Sequence, residues 1–226
     1  LNSNAGVGIV LPNGIFTLGS FNLSIPAVGS ITTPGTFSST NMIAADGTGQ
    51  LIKFIAGGST PAFIYPIGDN TGTPEYSPVT IGINSSAVGG SIGVRVVNGT
   101  PPAPAVSNYL NRYWVFTTAS LTSYNYTLSM GYNAADVVGS ESAMQPSRYN
   151  GTTWSQIAGT VGSNILAYTA TLTNTSAPLA SNTFTAREGT ALYYRSVTSG
   201  DWNTTSTWEA DVNPAFPSPS TPAWAR

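Results

Sequence analysis

No stretch of this chain keeps apolar residues at i, i+3, i+4 and i+7 through three turns, so long amphipathic helices are closed to it. A period of two recurs instead, in short runs cut by turn residues. Tyr124-Asn-Tyr-Thr-Leu-Ser-Met130 alternates apolar and polar side chains, the pattern of a strand with one buried and one wet face. The 24 Gly and 16 Pro among 226 residues keep every element short. The nearest approach to a helix, Asn133 to Met144, is interrupted by Gly139 and is expected to make only a turn. The chain is therefore expected to be all-β.

Runs rich in β-branched and aromatic residues follow one another at about 8–12-residue spacing, the rhythm of a sandwich. They lie at 50–56, 62–67, 79–83, 91–97, 113–117, 124–130, 147–149, 153–157, 166–172, 183–186 and 192–197. Asn150-Gly151 between two of them is a type I′ hairpin signal. The N-terminus is denser. Val7–Leu11, Gly14–Leu18 and Phe21–Ile25 recur roughly every seven residues, as rungs of a solenoid or a tight meander would. Three such strands do not establish a period, so a meander or partial solenoid is expected.

Gly99-Thr-Pro-Pro-Ala-Pro-Ala105 is the strongest internal breaker, because consecutive prolines cannot pair in a central strand. It suggests two β-sandwich-like units, 1–100 and 107–188. From Gly189 the composition changes: the segment holds three of the five Trp and a proline-rich run from Asn213. Residues 189–226 are expected to be an extended tail that docks on a neighbour or opens a further module.

Only 7% of the residues are charged, the net charge is −2, and His and Cys are absent. Intracellular domains usually carry about 25% charged residues. A surface solvated by Ser, Thr and Asn points to an extracellular location. Seven scattered basic residues cannot track phosphates, and no apolar run nears the roughly 18 residues of a bilayer span. Neither nucleic acid nor a membrane span is expected. The lack of Cys excludes a disulfide-stapled scaffold. Leu1 is not an initiator Met, so the chain reads as a mature or internal fragment. Seven Asn-x-Ser/Thr sequons would matter in a secreted glycoprotein.

Most catalytic constellations need His, Cys or clustered carboxylates, and a Ser nucleophile without His needs another base. Asp46-Gly-Thr-Gly49 is similar to the Asp-Thr-Gly of aspartic proteases, but it has an inserted Gly and lacks a second copy; it reads as a turn. Asp69-Asn70, Glu75 and Asp136 through Glu141 are the carboxylate neighbourhoods open to calcium. None has the alternating oxygens of a calcium loop, and turn capping is the better account. Lys53, the sole lysine, looks like a gatekeeper on an edge strand, with a Lys–Asn crosslink as the alternative. No catalytic, cofactor or metal residue is expected, and the protein is read as not an enzyme. Alternation in Arg112-Tyr-Trp114-Val-Phe116 buries Trp114, whereas Trp154 fits either core or surface.

Phe63-Ile-Tyr-Pro-Ile-Gly-Asp69, Tyr76-Ser-Pro-Val79 and Asn111-Arg-Tyr-Trp114 resemble a pattern that recurs in large secreted surface proteins of Bacteroidetes, typically exported by the type IX secretion system. Ser199-Gly-Asp-Trp-Asn203 with Thr207-Trp-Glu209 resembles the opening of the module that often precedes this one. The resemblance implies a β-structured spacer or adhesive part of a multi-module chain, although no type IX sorting domain is seen. The expected function is structural or adhesive, with self-association or contact with neighbouring modules. A filament subunit would use terminal strands, with Val7, Ile9, Leu11, Tyr193, Tyr194, Trp202 and Trp208 as the assembly residues. The alternative is a carbohydrate-binding module of a secreted polysaccharide-degrading protein, with a glycan as ligand.

Overall fold

The N-terminal strands are three residues long because glycine and proline corners cut them. They are β1 (Asn2–Asn4), β2 (Gly8–Val10), β3 (Ile15–Thr17), β4 (Leu23–Ile25), β5 (Ser30–Thr32) and β6 (Met42–Ala44), followed by the longer β7 (Leu51–Ile55). The computed structural model describes residues 2–4, 8–102, 105–169, 171–180, 182–189, 193–201, 204 and 207–211. β2 pairs with β5, β3 with β6 and β4 with β7, all parallel. Ile9 stacks beside Ile31, Phe16 beside Ile43 and Leu23 beside Leu51. The three dense segments are therefore the three sides of one solenoid rung, and the next rung lies on them. Successive strands of a meander would pair antiparallel, so the meander alternative falls.

The Asp46–Gly49 segment is a corner of the second rung. A Cβ on Gly47 would lie 2.2 Å from the Gly19 carbonyl, and one on Gly49 would lie 2.3 Å from that of Phe21. Only glycine lets one corner settle on the other. The Asp46 carboxylate accepts from the Asn70 amide at 2.8 Å, a capping role.

The solenoid then turns into a sandwich. β8 (Thr60–Tyr65), β9 (Ile67–Asp69) and β10 (Glu75–Tyr76) begin a third turn, but only β9 lies parallel on β6. β10 folds back antiparallel on β9, and β8 pairs antiparallel with β11 (Val79–Ser85). β12 (Gly90–Asn98) borders β7 in antiparallel register. The later strands are β13 (Tyr109–Leu110), β14 (Arg112–Ala119), β15 (Asn125–Gly131), β16 (Val137–Val138), β17 (Gln145–Tyr149), β18 (Trp154–Gln156), β19 (Gly159–Gly162), β20 (Ile165–Tyr168), β21 (Leu172–Thr173) and β22 (Asn182–Arg187). One sheet runs β16-β13-β22-β14-β12-β7-β4, with β17 beside β22 and β18 beside β17. The other runs β19-β20-β15-β11-β8, with β21 on β15.

Val94, Val96, Trp114, Phe116 and Phe184 from the first sheet and Ile81, Tyr126, Leu128 and Leu166 from the second are buried. Phe184 meets Tyr168 edge-on at 5.7 Å, and the Tyr65 hydroxyl donates to the Ile92 carbonyl at 3.1 Å. Burial pushes the Tyr65 and Tyr168 phenols above their usual range. Leu11, Leu18 and Ile25 of the solenoid belong to the same core cluster. The proline segment therefore divides nothing. β12 and β14 on either side of it pair from Ser91↔Ala119 to Asn98↔Arg112, and residues 1–188 form one unit. Prolines end a strand there, but the alternation resumes and the chain returns to the same sheet.

Lys53 is corrected by its place in the sheet. β7 lies between β4 and β12, so it is not an edge, and Lys53 is buried. Its three ammonium protons meet the carbonyls of Pro26, Ala27 and Gly29 at 2.5, 2.7 and 2.6 Å. The ammonium also sits 5.0 Å from the centre of the Phe63 ring. Burial lowers its pKa, and the partners are backbone carbonyls, not the side-chain amide a crosslink requires.

Residues 189–226 form a second unit. It is not wholly extended: β23 (Tyr193–Ser196) and β24 (Trp208–Asp211) make an antiparallel pair with an exposed Arg195–Glu209 ion pair at 2.8 Å. Val7, Trp202 and the proline run from Asn213 lie outside the described residues.

Candidate functional site

The period of two along β14 turns Arg112, Trp114 and Phe116 inward together. An arginine in that phase must find carboxylates or leave a charge unpaired in the core. Three converge on it from separate elements. Asp69 ends β9, Glu75 opens β10, and Asp136 sits in the 3-10 turn Ala134–Asp136. Arg112 Nη1 reaches Asp69 Oδ2 at 2.6 Å and Nε reaches Asp136 Oδ2 at 2.7 Å, while Nη2 meets Glu75 Oε2. The Arg112 and Asp69 side chains are fully buried, and Glu75 keeps a modest opening to solvent. The Asn98 amide donates to Glu75 Oε2 at 3.2 Å and to Asp69 Oδ1 at 3.4 Å. The Asn133 backbone N–H donates to Asp136 Oδ2 at 2.8 Å.

Trp114 extends the cluster: its indole N–H donates to the Ser77 carbonyl at 3.1 Å. Thr185 donates to the Arg112 carbonyl at 2.6 Å. The segments around Asp69, Ser77 and Arg112–Trp114, singled out separately in the sequence, thus meet in one buried latch between solenoid and sandwich. The cation at the carboxylate neighbourhoods of 69, 75 and 136 is Arg112 itself. Among the described residues, no acidic group is arranged to hold a metal ion. Glu141 is not part of the cluster; it accepts from the Tyr132 hydroxyl.

Three carboxylates against one guanidinium leave the cluster acidic. Burial is the largest influence on Arg112 and lowers its pKa, but hydrogen bonds and charges from Asp136 and Asp69 outweigh it and the net shift is upward. Burial raises the Glu75 pKa; Arg112 opposes that, and the charges of Asp136 and Asp69 add to it. The folded protein therefore holds the Glu75 proton more tightly than the unfolded chain does. Stability from this group is complete below the ordinary carboxylate pKa and is lost as pH rises through the folded value. Glu75→Gln is expected to flatten the loss of melting temperature between mildly acidic and neutral pH. Thermal melts of both proteins across that window check this. An equal slope in the two would contradict it.

The aromatic candidates are used internally. Trp114 is buried. Trp154, half-buried on β18, donates its N–H to the Pro102 carbonyl at 3.1 Å. Its ring lies 5.0 Å from Tyr149 and 4.9 Å from the Arg187 guanidinium. A hollow of about 80 Å³ beside Arg187, walled by Pro101, Pro102 and Tyr109, is small against the roughly 300 Å³ at which ligand pockets begin. A wider groove of about 420 Å³ runs along Ala27–Gly29 and Ser59–Phe63, with Lys53 in its wall.

The terminal candidates fall into two groups. Ile9 and Leu11 belong to the first rung; Leu11 is a core residue whose N–H bonds to the Thr32 carbonyl. Tyr193, Tyr194 and Trp208 share the hairpin of the second unit, with Ser196 opposite Trp208 and Tyr194 opposite Ala210. β3 and β4 belong to the same short apolar strands, Val7–Ile25, that the sequence offers for strand addition, and their outer edges carry no individual candidate residue. The available signal was charge: the first charged residue of the chain is Asp46. Comparison with models of known protein families, with curated proteins and with solved structures found no match.

Proposed function

We propose that this protein is a non-enzymatic extracellular structural or adhesive module that assembles through its terminal strands. The observation that carries the reading is a short β-solenoid whose first rung offers, among the described residues, charge-free and unpaired strand edges at β3 and β4. Three further points support it. The carboxylates open to chemistry at 69, 75 and 136 are spent on Arg112, and the sole lysine is spent on three carbonyls. The motifs that resemble those of secreted Bacteroidetes surface proteins pack into a latch that holds the frame. The low charge suits a protein that works outside the cell in contact with its own kind.

Carbohydrate binding is the second reading, favoured by the groove along Ser59–Phe63, where hydroxyls border an aromatic ring. Sedimentation velocity across a concentration series separates the two readings. Full-length protein is expected to form species larger than dimers, and the chain shortened to residues 1–188 is expected to stop at smaller ones. A protein that stays monomeric throughout and binds a polysaccharide on a glycan array would hand the function to the second reading.

A further inference from the structure

In a parallel ladder, alternate residues point both backbone groups to opposite sides. The Met42 N–H bonds to the Gly14 carbonyl and the Leu18 N–H to that of Ala44, so Gly14, Phe16 and Leu18 face β6. Ile15 and Thr17 therefore turn their N–H and C=O groups to the outer edge of β3. On β4 the Leu23 N–H bonds to the Gln50 carbonyl, which leaves Ser24 facing outward. Among the described residues, no strand pairs with either edge. The equivalent edge of β2 is covered by β1 in antiparallel register, Asn2↔Val10 and Asn4↔Gly8. That end of the solenoid thus accepts an antiparallel strand.

Natural proteins guard such edges with charges, above all lysine. Here no charged residue occurs before Asp46. Beside the open edges, Phe21 is 79% exposed, and a hollow of about 250 Å³ is lined by Leu11 to Phe16. Each molecule therefore carries an aromatic knob and an apolar hole at the same end.

We infer that this end is a self-association surface, in which the β3–β4 edge of one molecule pairs antiparallel with the same edge of a second copy about a two-fold axis. The inference rests on the assembly reading above and names its contact. Head-to-tail stacking of solenoids is blocked on two of the three sides, because β9 and β10 already follow β6 and β12 already follows β7; in the last rung β5 alone keeps an open edge among the described residues. A two-fold contact brings residues near the axis against their own copies, where any charge would meet its like. The charge-free edge removes that penalty.

The test uses full-length protein with Thr17→Lys and Thr17→Glu. Thr17 is exposed, and melting temperature checks that each variant is folded. Each variant alone is expected to associate at least about tenfold more weakly than wild type, because like charges face each other at the axis. Mixing the two is expected to restore association, with the gain lost at high salt. Ser24→Lys supplies a second, independent edge charge with the same expected weakening. Unchanged association in Thr17→Lys and Ser24→Lys, or a mixture no stronger than its components, overturns the inference. If association also disappears when residues 189–226 are removed, the assembly reading survives without this contact. If wild type never associates, both fall.

Discussion

Arg112→Met is expected to destabilise the protein by about 3–5 kcal/mol at neutral pH, the usual cost of breaking a buried ion pair by removing one partner. Methionine fills similar space, so the loss is chiefly electrostatic. It strands Asp69 and Asp136, both buried, together with Glu75. Without the guanidinium, burial acts unopposed on Glu75, which holds its proton more tightly still in the folded state than in the unfolded one. Stability of the variant is therefore expected to recover as pH falls, opposite to the acid lability of a chain that depends on ionised pairs. Urea unfolding at neutral and mildly acidic pH reads both effects. Adding Asp69→Asn and Asp136→Asn to Arg112→Met should return part of the loss. A single variant within about 1 kcal/mol of wild type, the worth of an exposed ion pair, would mean that the latch does not hold the two halves of the fold together.

Trp114→Ala is expected to cost about 3–5 kcal/mol through the cavity left in the core. Trp114 is fully buried on β14, with Val96 opposite it on β12 and Phe184 opposite it on β22. The substitution also leaves the Ser77 carbonyl without its indole donor. Trp114→Phe keeps most of the ring volume and removes that donor, so it should lose clearly less than the alanine variant. Thermal or urea unfolding checks the order. A Trp114→Ala protein that keeps its melting temperature but loses binding to a polysaccharide would move the residue from the core to a sugar site.

The alternating strands were legible because their information is local. The run expected at 124–130 is the strand Asn125–Gly131, and that at 91–97 is Gly90–Asn98. Trp114 was legible for the same reason. The solenoid was legible only as one of two alternatives, from the seven-residue recurrence, since its strands are too short to alternate and their partners lie a full rung away in sequence. Met42–Ala44, wedged between β3 and β9, is buried at every position and shows no period at all. The latch was half legible. Arg112 shares its phase with Trp114 and Phe116, which demands a buried counter-charge, but the elements that supply the carboxylates are set by tertiary packing. Lys53 was legible and misread: it stands in phase with Leu51 and Ile55, while Phe54 of the opposite phase is the exposed residue. A lysine in the inward phase is a core residue awaiting acceptors, not a guard of an edge.

The most direct test of assembly through the solenoid end is amide hydrogen exchange, resolved by residue, at low and high protein concentration. The amides of Phe16 and Leu18, which face β6, are expected to be equally protected at both concentrations. The amides of Ile15, Thr17 and Ser24 should exchange fast in dilute solution and slow markedly as concentration rises. Rates at Ile15, Thr17 and Ser24 that do not change with concentration, under conditions where the protein sediments as an assembly, would contradict it.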